Sequence, residues 1–151
     1  MRTTILKYGF LSLLSAALLF LAALVLGKEL SFSTQAIIGY ASMFISLSFV
    51  FFGIKHFRDH ENDGLITFRK AFIIGIFISL FAGIGFAIID YIYTSFINPD
   101  FMTEYAEVMK AQGEEIVETY SNMALAVLMF TTVLVLGIIV TLLSAFILQR
   151  K

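Results

Sequence analysis

MALAVLMFTTVLVLGIIVTLLSAFIL, residues 123–148, contains no charged side chain. As an α-helix rising 1.5 Å per residue it would be about 39 Å long, enough to cross the ~30 Å hydrocarbon core of a bilayer. Backbone groups in hydrocarbon have no water to bond, so the stretch is expected to be helical despite its Val, Ile and Thr content. Three more segments meet the same criterion, at roughly residues 5–26, 34–54 and 71–96. Across the 151 residues, 60% are hydrophobic and 14% charged, against about 45–50% and 25% in soluble domains. A soluble protein this small has too much surface for its volume to be covered by so few polar groups. A soluble globular enzyme is therefore excluded. The expected fold class is an all-α membrane protein with four transmembrane helices and an outer helical loop. It forms a single integral membrane domain over residues 1–151.

Charge sets the expected orientation. Arg2 and Lys7 precede the first span, Lys55, Arg58, Arg69 and Lys70 lie between the second and third, and Arg150 and Lys151 follow the fourth. Eight of ten basic residues thus fall on one side, leaving Lys28 and Lys110 on the other. The positive side is cytoplasmic, so both termini and the loop 55–70 are expected in the cytoplasm and the loop 97–122 outside. Tyr91, Tyr93 and Tyr120 fall near the outer boundary, as an aromatic belt would. The first apolar run exceeds the 7–15 residues of a signal-peptide core, so an uncleaved anchor is expected. The net charge of −1 gives no electrostatic basis for binding nucleic acid. With no cysteine there is no disulfide, thiol or cysteine-metal chemistry.

The outer loop holds Asp100, Glu104, Glu107, Glu114, Glu115 and Glu118. Asn98-Pro99 reads as a helix start, with Asn98 as cap and proline in the first helical position. Phe101, Tyr105, Val108 and Met109 then recur at helical spacing. A helix is expected up to about Ala111, broken by Gly113, followed by a second from about Glu114 that runs into the fourth span. On the other side, Asn62-Asp63-Gly64 is turn chemistry, with helices entering the loop from both flanks and its acids pairing with its four bases.

Lipid supplies little hydrophobic drive for helix association, so small residues that allow close approach matter. Gly75, Ser79, Gly83 and Ala87 stand four apart in the third span, and Gly137, Thr141 and Ala145 do so in the fourth. These are the helix-packing candidates, within one chain or at a homo-oligomer seam. Asp90 is the one acid inside a span and the candidate intramembrane acid. By its distance from Ala71, about 28 Å along the helix, it is expected at the outer interface beside Tyr91 and Tyr93, pairing with Lys28.

Other constellations fall short of chemistry. His56 and His60 share a helical face, but no third His or Cys joins them as zinc requires. Asp59, Glu61, Asp63 and Gly64 imitate the start of a calcium loop, yet its twelfth position is Lys70 where a bidentate Glu is needed. No nucleophile–base pair, phosphate loop or cofactor motif is found, so no catalytic, cofactor-binding or metal residues are assigned.

The run Phe51-Phe52-Gly53-Ile54-Lys55, with Arg58-Asp59, Gly64-Leu65-Ile66-Thr67-Phe68, Lys70-Ala71-Phe72 and Gly75, resembles a bacterial, Bacteroidota-type membrane family, "domain of unknown function 4199". Phe101-Met102 with Tyr105, and Ser144-Ala145 to Leu148 before Arg150-Lys151, are also similar to it. The resemblance implies four transmembrane helices in an inner membrane. It implies no activity, cofactor or catalytic residue. The expected function is that of a non-enzymatic interaction or assembly component whose partners are the bilayer, a second copy or another membrane protein. A small oligomeric transporter or channel subunit is the second expectation.

Overall fold

The structure, a computed structural model, describes residues 1–115 and 120–150. Four long apolar helices form the bundle: α1 (Arg2–Leu26), α2 (Phe32–His56), α3 (Phe68–Ile92) and, after the short α4 (Phe101–Ala111), α5 (Asn122–Leu148). Each long helix has the length and composition to cross a membrane. No strand occurs among the described residues. Their surfaces carry large exposed apolar side chains such as Leu18, Ile37, Phe146 and Ile147, each more than 60% exposed. A water-facing surface would not hold so many, whereas lipid tails solvate them at no cost. The chain is a multi-pass membrane protein.

α3 is the hub. It packs most extensively on α5 and α1 and also meets α2, which in turn touches α1 and α5. α2 and α3 therefore share the short diagonal of the bundle, and α1 and α5 lie on opposite flanks. The core is a column of α2 and α3 side chains, among them Leu47, Val50, Ile54, Ile74, Ile78 and Phe86, with Val133 from α5.

Contact between helices depends on missing side-chain atoms. A Cβ on Gly75 would overlap Thr141, and one on Gly137 would lie 2.5 Å from the Ser79 Cβ. On the other flank, a Cβ on Gly9 would fall 2.6 Å from the Phe81 ring, and one on Gly85 2.7 Å from the Leu13 carbonyl oxygen. Backbones at such separations gain dispersion contacts that lipid cannot match. Hydroxyls buried in these seams are satisfied. Ser79 donates to the Gly75 carbonyl at 2.9 Å, Ser46 to that of Ser42 at 2.9 Å, and Ser12 crosses from α1 to the Ser46 carbonyl at 2.8 Å.

Helix ends differ from expectation in physically clear ways. α3 starts at Phe68 because the Thr67 hydroxyl accepts from the Lys70 amide, drawing Arg69 and Lys70 into the first turn. α2 and α3 each run on into a π-helical turn, Phe57–Glu61 and Tyr93–Ile97. The Asn98-Pro99 start is corrected: α4 begins at Phe101 behind Asp100, and Asn98 instead closes the π turn, its amide donating to the Tyr93 carbonyl. The Asn98 side chain reaches forward to Glu104, 3.1 Å away. Gly113, at φ 83°, ends α4 as expected. Glu114 and Glu115 are not helical, and the rest of the expected second helix, 116–119, lies outside the described residues. α5 is capped by Ser121, whose hydroxyl accepts from the Ala124 amide at 3.2 Å.

Gly75→Val and Gly137→Val should each destabilise the fold by about 1–3 kcal/mol through overpacking of the α3–α5 seam. Gly39→Ala, where an added Cβ meets nothing within 4 Å, should cost nothing. Thermal unfolding in a mild detergent checks the contrast, and equal losses at all three positions would contradict it.

Candidate functional site

Both ends of the bundle carry organised polar groups, and only one of them is fully satisfied. At the end bearing most basic residues, the loop between α2 and α3 gathers the two chain termini. The Met1 ammonium lies 2.6 Å from a Glu61 carboxylate oxygen, and the Thr4 hydroxyl donates to the other. Arg58 is buried and forks onto Asp59 at 2.6 and 3.1 Å, while its remaining guanidinium nitrogen reaches the Leu148 carbonyl at 3.4 Å. Ile66 and Arg150 exchange two backbone hydrogen bonds at 2.9 Å. Asp63 and Gly64 supply the turn with positive φ. The expected general pairing of loop acids with loop bases is thereby corrected. Among the described residues only Arg58–Asp59 forms such a pair, and Glu61 is taken by α1. His56 and His60 stack at 4.7 Å, with Tyr8 at 5.5 Å from His56. No cluster of three or more metal-ligating side chains occurs among the described residues. The contacts of Glu61 with Met1 and Thr4, of Arg58 with Leu148 and of Ile66 with Arg150 tie separate parts of the chain together, so this end is a latch.

The small-residue stripes are likewise internal. Gly75, Ser79, Gly137 and Thr141 interlock, with Ser79 and Thr141 hydroxyls 3.5 Å apart, and Ala145 is fully buried. Gly83 faces the Phe130 ring at 2.9 Å for an added Cβ, and half-buried Ala87 lines a shallow groove beside Phe130.

The opposite, acidic end is different. A cavity of about 350 Å³ lies between α2 and α5, beneath α4. Asp90 forms part of its wall, together with Phe20, Gln35, Tyr40, Tyr105 and Thr132. Asp90 is 8% exposed, and its Oδ2 is buried with no hydrogen-bond partner. The expected pairing of Asp90 with Lys28 is corrected, and the side chain turns into the bundle rather than out to the surface. Among the described residues no ion pair reaches it, and Lys28 is exposed. Depth along a helix does not fix which way a side chain turns, and Asp90 continues the buried row Ile78, Ala82, Phe86 at four-residue spacing. Tyr93 is corrected too. It is 4% exposed and packs edge-on against Phe101 at 6.0 Å, so of this pair only Tyr91 faces outward. The π turn that follows Asp90 is held by the Thr94 hydroxyl on the Asp90 carbonyl at 2.9 Å, and such turns recur at functional sites.

α4 roofs the cavity lightly. None of its residues is buried, and its anchors are Phe101 and Tyr105 against Phe32 at 6.0 and 5.7 Å. Phe101 and Tyr105 were visible as an amphipathic face. Gln35, Tyr40 and Thr132 carried no signal, because the wall they share is drawn from helices far apart in sequence.

A family model described as "Protein of unknown function (DUF4199)" matches residues 7–150. The chain belongs to this family. The match covers nearly the whole bundle, from the first turns of α1 to the Arg150 bridge. No curated protein and no solved structure matches the chain. Family membership brings no activity to the site, so its chemistry must be read from its residues.

A structural acid should lose stability when replaced, whereas a buried unpartnered one should gain it. Asp90→Leu is expected to raise unfolding free energy by about 1–3 kcal/mol. A fall in stability would mean that Asp90 has a structural partner. At the latch, Arg58→Gln should speed amide exchange at Ile66 and Arg150, and unchanged protection would show the bridge to be independent of the guanidinium.

Proposed function

We propose that the protein is a non-enzymatic component of a bacterial inner membrane that acts by binding, through its acidic end, with both termini in the cytoplasm. The observation that carries this reading is the contrast between the sealed seams and the unsatisfied acidic end. Small residues that could have lined a path are consumed by α1–α3 and α3–α5 contacts. Buried hydroxyls along the seams bond to backbone carbonyls of their own or a neighbouring helix. Conduction needs a polar lining, and these interlocked seams leave none within one bundle. Binding needs a concave site with a few unsatisfied polar groups, and Asp90 under α4 supplies that. The orientation rests on the eight-to-two division of basic residues.

The second reading, a transporter subunit, is favoured by one observation, the buried carboxylate of Asp90 inside a span. Liposomes containing the protein are expected to hold proton and potassium gradients as well as empty ones. A protein-dependent leak that disappears in Asp90→Asn would replace the first reading with the second. Orientation is checked separately. The absence of native cysteine makes single substitutions clean reporters. In intact spheroplasts a membrane-impermeant maleimide should label Lys110→Cys and leave Lys55→Cys unlabelled until the membrane is opened. The reverse pattern would invert the topology.

A further inference from the structure

We propose that the cavity beneath α4 binds an amphiphilic ammonium, its charged nitrogen against the Asp90 carboxylate and its apolar body lying between α2 and α5. Asp90 Oδ2 is buried without a partner inside a formed cavity. A carboxylate taken out of water is stable only when a donor or a positive charge compensates it. The cavity wall contains no Lys or Arg, and its other polar side chains are Gln35, Tyr40, Tyr105 and Thr132. A cationic occupant would supply the compensation that the wall itself does not.

The chemistry of the wall narrows what that occupant is. An anion would be repelled by the one charge present. A divalent metal is excluded by ligand number, since calcium takes six to eight oxygens and magnesium an octahedron, whereas Asp90 is the sole carboxylate in the wall. An ammonium needs less. It bonds a single carboxylate, and aromatic rings attract it through their negative faces. Phe20, Phe32, Tyr40, Phe101 and Tyr105 all border the cavity. Outside it, Glu104 and Glu107 are exposed on α4 and favour cations over anions at the approach.

The route in sets the second requirement. Ala36, Tyr40, Leu128 and Thr132 border the cavity and are also exposed on the side of the bundle. That side belongs to two helices apolar enough to span a membrane, so the cavity opens towards lipid. A small hydrophilic amine would not partition there, whereas one with an aromatic or alkyl body would. The volume of about 350 Å³ is at the small end of ligand sites. Such an ammonium could be a free hydrophobic amine or the headgroup of an aminophospholipid.

The site deepens the reading of a binding component but stands without it, since gradient measurements decide that reading and binding decides this one. The test uses the full-length protein in dodecyl maltoside, with 2-phenylethylammonium and its uncharged counterpart 2-phenylethanol as probes, followed by calorimetry. The ammonium should bind at least tenfold more tightly than the alcohol, and Asp90→Asn should erase the difference. Gly39→Leu, which grows a side chain where a Cβ meets nothing on the cavity wall, should weaken the ammonium at least tenfold while the unfolding temperature holds. Equal affinity of the two probes for the unaltered protein, which depends on no variant folding, overturns the proposal. So does a preference that survives Asp90→Asn. Adding phosphatidylethanolamine or phosphatidylglycerol identifies the source. Competition by the first alone assigns the site to a lipid headgroup, and competition by neither assigns it to a free amine; each supports an ammonium site. Competition by phosphatidylglycerol alone overturns it.

Discussion

Close approach of helix backbones is the constraint from which the rest of this bundle follows. In water, burying apolar area would hold four such helices together. In lipid that drive is nearly absent, and cohesion must come from packing density and short hydrogen bonds. The Gly75–Thr141 and Gly137–Ser79 interlock provides it on one flank of α3, and Gly9–Phe81 with Gly85–Leu13 provides it on the other. α3 can be the hub because it presents small residues on both sides. α2 completes the column through Gly53, where a Cβ would meet Ile78 at 2.5 Å. Once those residues are committed to the interior, they cannot also line a pore or a dimer seam.

The two ends then take opposite solutions to one problem. Polar groups near a bilayer boundary must be paired or wetted. The basic end pairs them: Arg58 with Asp59 and Leu148, Glu61 with α1, and Ile66 with Arg150. The acidic end leaves Asp90 unpaired beneath a helix held by two aromatic rings.

Much of this was legible in the residues, for reasons that differ from place to place. The four spans follow from run length, since hydrocarbon permits only helix. The four-residue spacing marks Gly75 and Ser79, and Gly137 and Thr141, as close-packing ridges, but that the two ridges face each other is seen only in the structure. Element ends were less legible. Thr67 captures three residues that composition assigns to the loop, and Asn98 closes the preceding turn rather than capping the following helix. Asp90 was found, but the direction of its side chain was not. In a helix apolar all round, periodicity cannot tell a lipid-facing direction from an inward one, and only the row Ile78, Ala82, Phe86 hints at its true bearing. The cavity itself was invisible, being a property of all five helices together.

The diagonal arrangement also bears on biogenesis. Helices leave the ribosome in chain order, so α1, α2 and α3 reach the membrane before α5 has been made. During that interval Gly75, Ser79 and the adjacent groove of α3 face lipid or the insertion machinery, with their intended neighbour not yet synthesised. A nascent chain stalled or cut short before α5 would display this naked stripe to the proteases that survey membranes. The last helix thus seals the molecule as well as completing it, which makes full-length synthesis a condition of survival in the bilayer.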